Sequence, residues 1–184
     1  MTKDFVNPFT PVVGKVPLHI AGREEIIADI EGALAGAGND PAIISLLVGP
    51  RGMGKTALLS HFADTAESSG WVTARVTCVA GMLEDILIRT QRATRHLVDI
   101  EPARKIKGAG IADFISLELE DSPRELSNWR SRMDDILDAL AECNTGLLGT
   151  IDEVNPSIDE MATLVAAFQH FLDGGRKSLL YILA

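Results

Sequence analysis

The sequence predicts an α/β fold built on a mostly parallel sheet, and three observations predict it. Short apolar runs alternate with stretches of helical periodicity along the chain, as they do where helices cross over between strands. The run 42–48 (Ala-Ile-Ile-Ser-Leu-Leu-Val) is continuously apolar, the pattern of a strand buried on both faces. A glycine-rich turn follows that run directly and opens into a helix.

Taken in order, residues 1–19 carry Pro8, Pro11 and Pro17 with little periodicity and read as an extended arm. From Arg23 onward, Ile26, Ile27, Ile30 and Leu34 fall on one helical face, which Gly36 and Gly38 end. Pro41 opens the strand 42–48, and residues 49–54 form the loop. Leu58, Leu59, Phe62 and Ala66 mark the next helix, with Gly70 as its stop. Residues 71–79 alternate, with Val72, Ala74, Val76 and Cys78 against Thr73, Arg75 and Thr77, so this strand is half-buried and lies near a sheet edge. Residues 82–98 form a helix with Leu83, Ile86, Leu87 and Leu97 inward, and 101–112 a loop. Ile115, Leu117 and Leu119 then predict a short strand or hairpin arm. Ser122-Pro123-Arg124-Glu125 is a capped helix start, followed by the stripe Leu126, Trp129, Met133, Ile136, Leu137 and Leu140. A strand over 146–151 ends on Asp152-Glu153. Ser157-Ile158-Asp159-Glu160 forms a second capping box, with Met161, Val165, Phe168 and Leu172 on the inner face of its helix and Gly174-Gly175 as the stop. Residues 178–183 begin another buried strand.

The 184 residues suffice for one domain with a real core. A net charge of -9 argues against nucleic-acid binding by this chain, which would call for a basic face. Cys78 and Cys143 have no C-x-x-C spacing and read as buried hydrophobes in a reducing cytoplasm. His19, His61, His96 and His170 show no ligand spacing, and Trp129 reads as core or interface. The first ten residues lack the basic-then-apolar pattern of a signal peptide, and no apolar run approaches the roughly 18 residues of a membrane span.

The chemistry is concentrated in Gly49-Pro50-Arg51-Gly52-Met53-Gly54-Lys55-Thr56, which fits G-x-x-x-x-G-K-[ST] at every specified position. The glycines let successive backbone N–H groups point inward at phosphate oxygens, and the helix that follows, with Ala57 in its first turn, aims its positive end at the same anion. Lys55 reaches the outer phosphates of a nucleoside triphosphate, the Thr56 hydroxyl binds Mg²⁺, and Arg51 touches phosphate or lies on the surface. Mg-ATP is the expected ligand. Asp152-Glu153, at the end of an apolar strand, supplies the second half: Asp152 as a metal ligand and Glu153 as general base on the attacking water.

With these two motifs the chain resembles the ATPases in which a catalytic glutamate follows the Mg²⁺-binding aspartate. The segments Asn7-Pro8-Phe9 and Pro17-Leu18-His19-Ile20-Ala21-Gly22-Arg23-Glu24-Glu25 are similar to the start of AAA+-like ATPases, in the branch shared by replication initiators, archaeal-type ATPases and STAND signalling ATPases. The resemblance implies that Ile20, Gly22 and Arg23 lie beside the adenine, so that 1–22 is an arm contributing to the base site and 23–184 the ATPase core. It also implies a three-layer P-loop core in which one strand separates the Asp-Glu strand from the loop strand. Thr77 corresponds to a polar strand-end residue that relatives place near the catalytic glutamate; an outward-facing strand threonine is the simpler account. A polar residue after the fourth strand, an arginine finger and a helical lid are expected at or after Ala184, so the chain reads as a core truncated before its C-terminal strand and lid. A GTPase is disfavoured because no N-K-x-D is present, and a transporter ATPase because no L-S-G-G-Q lies between the motifs. A small-molecule kinase stays open, as does self-association or a protein partner. The main alternative to an ATPase is a switch that binds ATP and recruits partners with negligible turnover.

Overall fold

The computed structural model describes residues 20, 22–36, 44–100, 126–173 and 179–184. Among these lie four strands, β1 (Ile44–Leu46), β2 (Val72–Thr77), β3 (Leu147–Asp152) and β4 (Leu179–Leu183). Five helices accompany them: α1 (Glu24–Gly36), α2 (Lys55–Ser68), α3 (Met82–Ile100), α4 (Leu126–Glu142) and α5 (Asp159–Asp173). The strand order is β1-β4-β3-β2 and every pairing is parallel. β4 therefore separates β3 from β1, as the resemblance implied, and among the described residues β2 lies at the edge its alternation indicated. Parallel strands bring all their carboxyl ends to one side, so the loop after β1, Asp152 after β3 and the ends of β2 and β4 share a single edge.

Burial divides the helices into two layers. Ile30 and Leu34 of α1 and Leu58 and Phe62 of α2 pack on Leu148 and Ile182 from one face. Ile86 of α3, Met133 and Leu140 of α4 and Phe168 of α5 pack on Ala74, Leu147, Ile151 and Tyr181 from the other. Neighbouring residues of β3 thus face opposite layers, as the two-residue period of a strand requires. Each fully buried leucine or isoleucine contributes about 1.5–3 kcal/mol relative to exposure. Gly149 and Thr150, which interrupt the apolar run of β3, are both buried. Gly149 makes room for Tyr181: a Cβ there would collide with the phenol ring, which packs on Phe168 with ring centroids 4.1 Å apart. Burial raises the Tyr181 hydroxyl above its ordinary pKa.

Three expectations are corrected. Within the described part, 44–48, of the strand predicted over 42–48, β structure covers Ile44–Leu46, and it is not buried on both faces: Leu46 is 60% and Val48 85% exposed. β1 pairs on one side alone among the described residues, and on one face Ile44 is 42% exposed alongside Leu46. On α5 the buried face is rotated from the predicted one, with Leu164, Ala167 and Phe171 joining Met161 and Phe168 while Val165 is 57% exposed. The second capping box does not form. Glu160 instead accepts hydrogen bonds from the N–H groups of Gly81 (2.6 Å) and Leu83 (2.8 Å), at the start of α3. Two free donors and the positive end of a neighbouring helix outcompete the single N–H of its own turn. The arm 1–19, the strand at 115–119, the cap at 122–125 and the Gly174-Gly175 stop lie outside the described residues, as do the side chains of Leu97 and Leu126. Among the described residues no helix is long and apolar enough to cross a membrane.

Candidate nucleotide-binding site

β1 carries the chain to the shared edge, and the loop turns it back into α2. Gly52 and Gly54 take φ of 85° and 81°, left-handed values that a Cβ would strain. α2 starts at Lys55 with no side-chain cap, so its first N–H groups and positive dipole end stand open toward the loop. Residues 48–54 are all exposed, and Met53 N–H donates to the Pro50 carbonyl at 3.4 Å. The Lys55 ammonium folds across the mouth of the loop and donates to the Gly49 carbonyl at 3.0 Å. Arg51 stands exposed at the loop tip, and Ala57 is half-buried in the first turn of α2.

The two sequence motifs meet directly. Thr56 Oγ1 donates to Asp152 Oδ2 at 2.7 Å, across 96 residues of sequence. The other carboxylate oxygen, Oδ1, accepts from the Glu153 N–H at 2.9 Å. Asp152 is half-buried at the end of β3, while Glu153 is exposed and takes a φ of 56°, left-handed despite its side chain. The turn is tied to both neighbouring strands: Val154 N–H donates to the Ala184 carbonyl at 2.8 Å, and Cys78 N–H to the Asp152 carbonyl at 2.9 Å. A hydroxyl and a carboxylate in contact are hard oxygen donors that suit Mg²⁺, which keeps several waters and takes its remaining ligands from phosphate.

The segment before α1 also reaches the loop. Arg23 Nη2 donates to the Met53 carbonyl at 3.3 Å, and Ile20 packs partly buried against the α1–α2 core. Gly22, at a φ of 74°, donates its N–H to Glu24 Oε1 at 3.0 Å. Hydrogen bonds from the backbone at Glu24 itself, then at Gly22 and Arg23, hold the Glu24 carboxyl below its ordinary pKa against a smaller desolvation effect.

Beyond Thr56 and Asp152 a cleft of about 390 Å³ continues past Ser60, Thr77, Arg75 and Arg89. Thr77 is exposed, as its outward position on β2 indicated. Ser60, Arg75 and Arg89 were not singled out from the sequence. Their only signals are the outward register of β2 and an i,i+4 pairing of Arg89 with Asp85 at 2.9 Å. Trp129 is buried core, its indole N–H donating to the Leu83 carbonyl at 2.6 Å. Cys78 is buried as expected, whereas Cys143 is half-exposed.

Backbone amides and an uncapped helix end gathered around a phosphate-sized turn, at the carboxyl edge of a parallel sheet, define a P-loop nucleotide-binding protein. The AAA ATPase domain family matches residues 19–183, and the chain belongs to that family. Among solved structures it is similar to Cdc6p from Pyrobaculum aerophilum, with 15% identity, a TM-score of 0.55, and coverage of 94% of this chain and 41% of that one. It is similar also to the Aeropyrum pernix ORC2 protein in its ADPNP-ADP complexes, with 20% identity, a TM-score of 0.53, and coverage of 94% and 43%. The chain thus spans less than half the length of either. No curated protein matches it.

Proposed function

We propose that this chain binds Mg-ATP and hydrolyses it as the nucleotide-binding module of a larger protein. The observation that carries the proposal is the 2.7 Å bond between Thr56 and Asp152, which joins the phosphate loop to the end of β3. In this reading the loop from Gly49 to Gly54 holds the phosphates through its N–H groups, and the Lys55 ammonium exchanges the Gly49 carbonyl for the outer phosphate oxygens. Thr56 and Asp152 would hold the metal, which would supply positive charge to stabilise the phosphoryl oxygens. Glu153, one residue on, takes a proton from the attacking water. Ile20, Gly22 and Arg23 flank the adenine, a role supported by the Arg23 bond to the loop. That the A. pernix ORC2 protein was solved in ADPNP-ADP complexes supports adenine nucleotides as ligands. The acidic balance of -9 argues against nucleic-acid binding by this chain itself.

Phosphoryl transfer is catalysed mainly by positioning and charge stabilisation, and a supplied arginine can contribute roughly 10³–10⁵ in rate. The 184-residue chain alone should therefore hydrolyse ATP far more slowly than a longer protein that carries a lid and such an arginine. Steady-state hydrolysis by both tests this. Equal rates would make the chain a complete enzyme and refute its role as one module of several. Tight ATP binding with negligible turnover by the longer protein would turn the reading to an ATP-dependent switch. Asp152→Ala, titrated with ATP at varied Mg²⁺, should lose the metal dependence of binding.

A further inference from the structure

We propose that Cys78 is a positioning residue that holds Glu153 in its working posture; this rests on the reading of Glu153 as the general base. Glu153 occupies a left-handed backbone conformation that residues with a Cβ rarely adopt unaided. Something around the turn must impose it. On the β4 side, Val154 N–H donates to the Ala184 carbonyl at 2.8 Å, and Ala184 N–H to Ile151 at 2.9 Å. On the β2 side a single residue does the work. Cys78 N–H donates to the Asp152 carbonyl at 2.9 Å, just before Glu153. The Cys78 thiol then accepts from the Asn155 N–H at 3.4 Å and donates to the Asn155 carbonyl at 3.8 Å, two residues after Glu153. The left-handed residue is thus bracketed by two points pinned to one cysteine.

Cys78 is 5% exposed, so water has little access to replace its thiol. Its contact is reinforced further along, where Glu160 grips the N–H groups of Gly81 and Leu83. The corner 78–83 and the segment 152–160 consequently form one clasp. Removing the thiol leaves the far side of the turn held by the Val154–Ala184 bond alone of these ties, so it loosens toward ordinary backbone angles and carries the Glu153 carboxylate off its place. Asp152 stays in place through its pairing with Thr77 of β2 and its bond to Thr56, so nucleotide binding is untouched.

The test is ATP turnover and ATP-analogue affinity, measured in the full-length protein for wild type, Cys78→Ala and Cys78→Ser. Cys78→Ala should lower kcat about tenfold or more, as misplaced catalytic groups do. Analogue Kd should stay within about twofold of wild type, since Glu153 is not a binding group. Cys78→Ser should recover most of the rate, because a hydroxyl both donates and accepts. Should Cys78→Ala fail to fold, Cys78→Val fills the same space without the bonds and serves in its place. A wild-type kcat in the bond-less variant, a loss of affinity matching the loss of rate, or a serine variant as slow as alanine would each overturn the inference. Absence of turnover in wild type overturns the general-base reading first and this inference with it; a silent Cys78 in an active wild type overturns this inference alone.

Discussion

At the phosphate loop the left-handed backbone falls on Gly52 and Gly54; at the turn after β3 it falls on Glu153. The loop is exposed and makes few bonds of its own, the Met53–Pro50 contact and the Lys55–Gly49 contact among them. Glycine adopts its geometry freely, so the loop needs little support from its surroundings. The turn after β3 carries Glu153, and in the proposed mechanism its carboxylate is needed, so glycine cannot take its place. A left-handed conformation costs an L-residue about 1–2 kcal/mol. That cost is offset by bonds to the ends of both neighbouring strands, through Cys78 just beyond β2 and Ala184 just beyond β4. The shape of the loop is written in its residue types. The shape of the turn is imposed by the sheet.

The largest expected effect breaks the chemistry of the turn without its shape. Glu153→Gln keeps size and hydrogen bonding but removes the proposed base; turnover in the full-length protein should fall by about 10² or more while analogue affinity holds. Wild-type turnover would move the base elsewhere. Next is the strand that supports the turn. Gly149→Ala puts a Cβ into the Tyr181 ring and should destabilise the fold by about 1–3 kcal/mol, read by urea denaturation. A neutral result would mean that β3 and β4 can part to admit a methyl group. The comparison itself is tested by exchanging glycine between the two sites. Gly54→Ala should destabilise by about 1–2 kcal/mol, whereas Glu153→Gly should be neutral or stabilising by up to about 1 kcal/mol with turnover abolished. Equal signs would erase the distinction. The smallest effect is expected at Arg75, which pairs with Asp64 and Glu67 at 2.8 Å on the exposed side of β2. Arg75→Ala should cost less than about 1 kcal/mol in a thermal melt, because exposed ion pairs are solvent-screened.

The same contrast explains what the sequence revealed. Gly49 to Thr56 is legible because each position has a chemical reason that does not depend on distant residues. The layered α/β order is legible because burial periodicity is local: Leu58, Leu59 and Phe62 announced the inner face of α2. Asp152 could be placed at a strand end, but its partner Thr56 lies 96 residues away, and only the sheet brings them together. Glu160 has the spacing of a capping box, yet it serves α3, because the stronger donors come from another part of the chain. Gly149 looked like an interruption of β3 until Tyr181, its neighbour on β4, gave it a reason. Cys78 passed as a buried hydrophobe, since nothing in its local sequence names Asn155 as its partner. Long-range pairing is the common factor in what stayed hidden.

The most direct test of the central claim, that the phosphate loop is a nucleotide site, is calorimetric titration of a non-hydrolysable ATP analogue into wild type and Lys55→Ala in the presence of Mg²⁺. Lys55 is the cation that the loop sequence places at the outer phosphates. In the structure its ammonium already lies across the loop mouth, 3.0 Å from the Gly49 carbonyl. The account predicts a single site in wild type, with binding lost or greatly weakened in the variant while its thermal melt is unchanged. Equal affinity in the two proteins would contradict it.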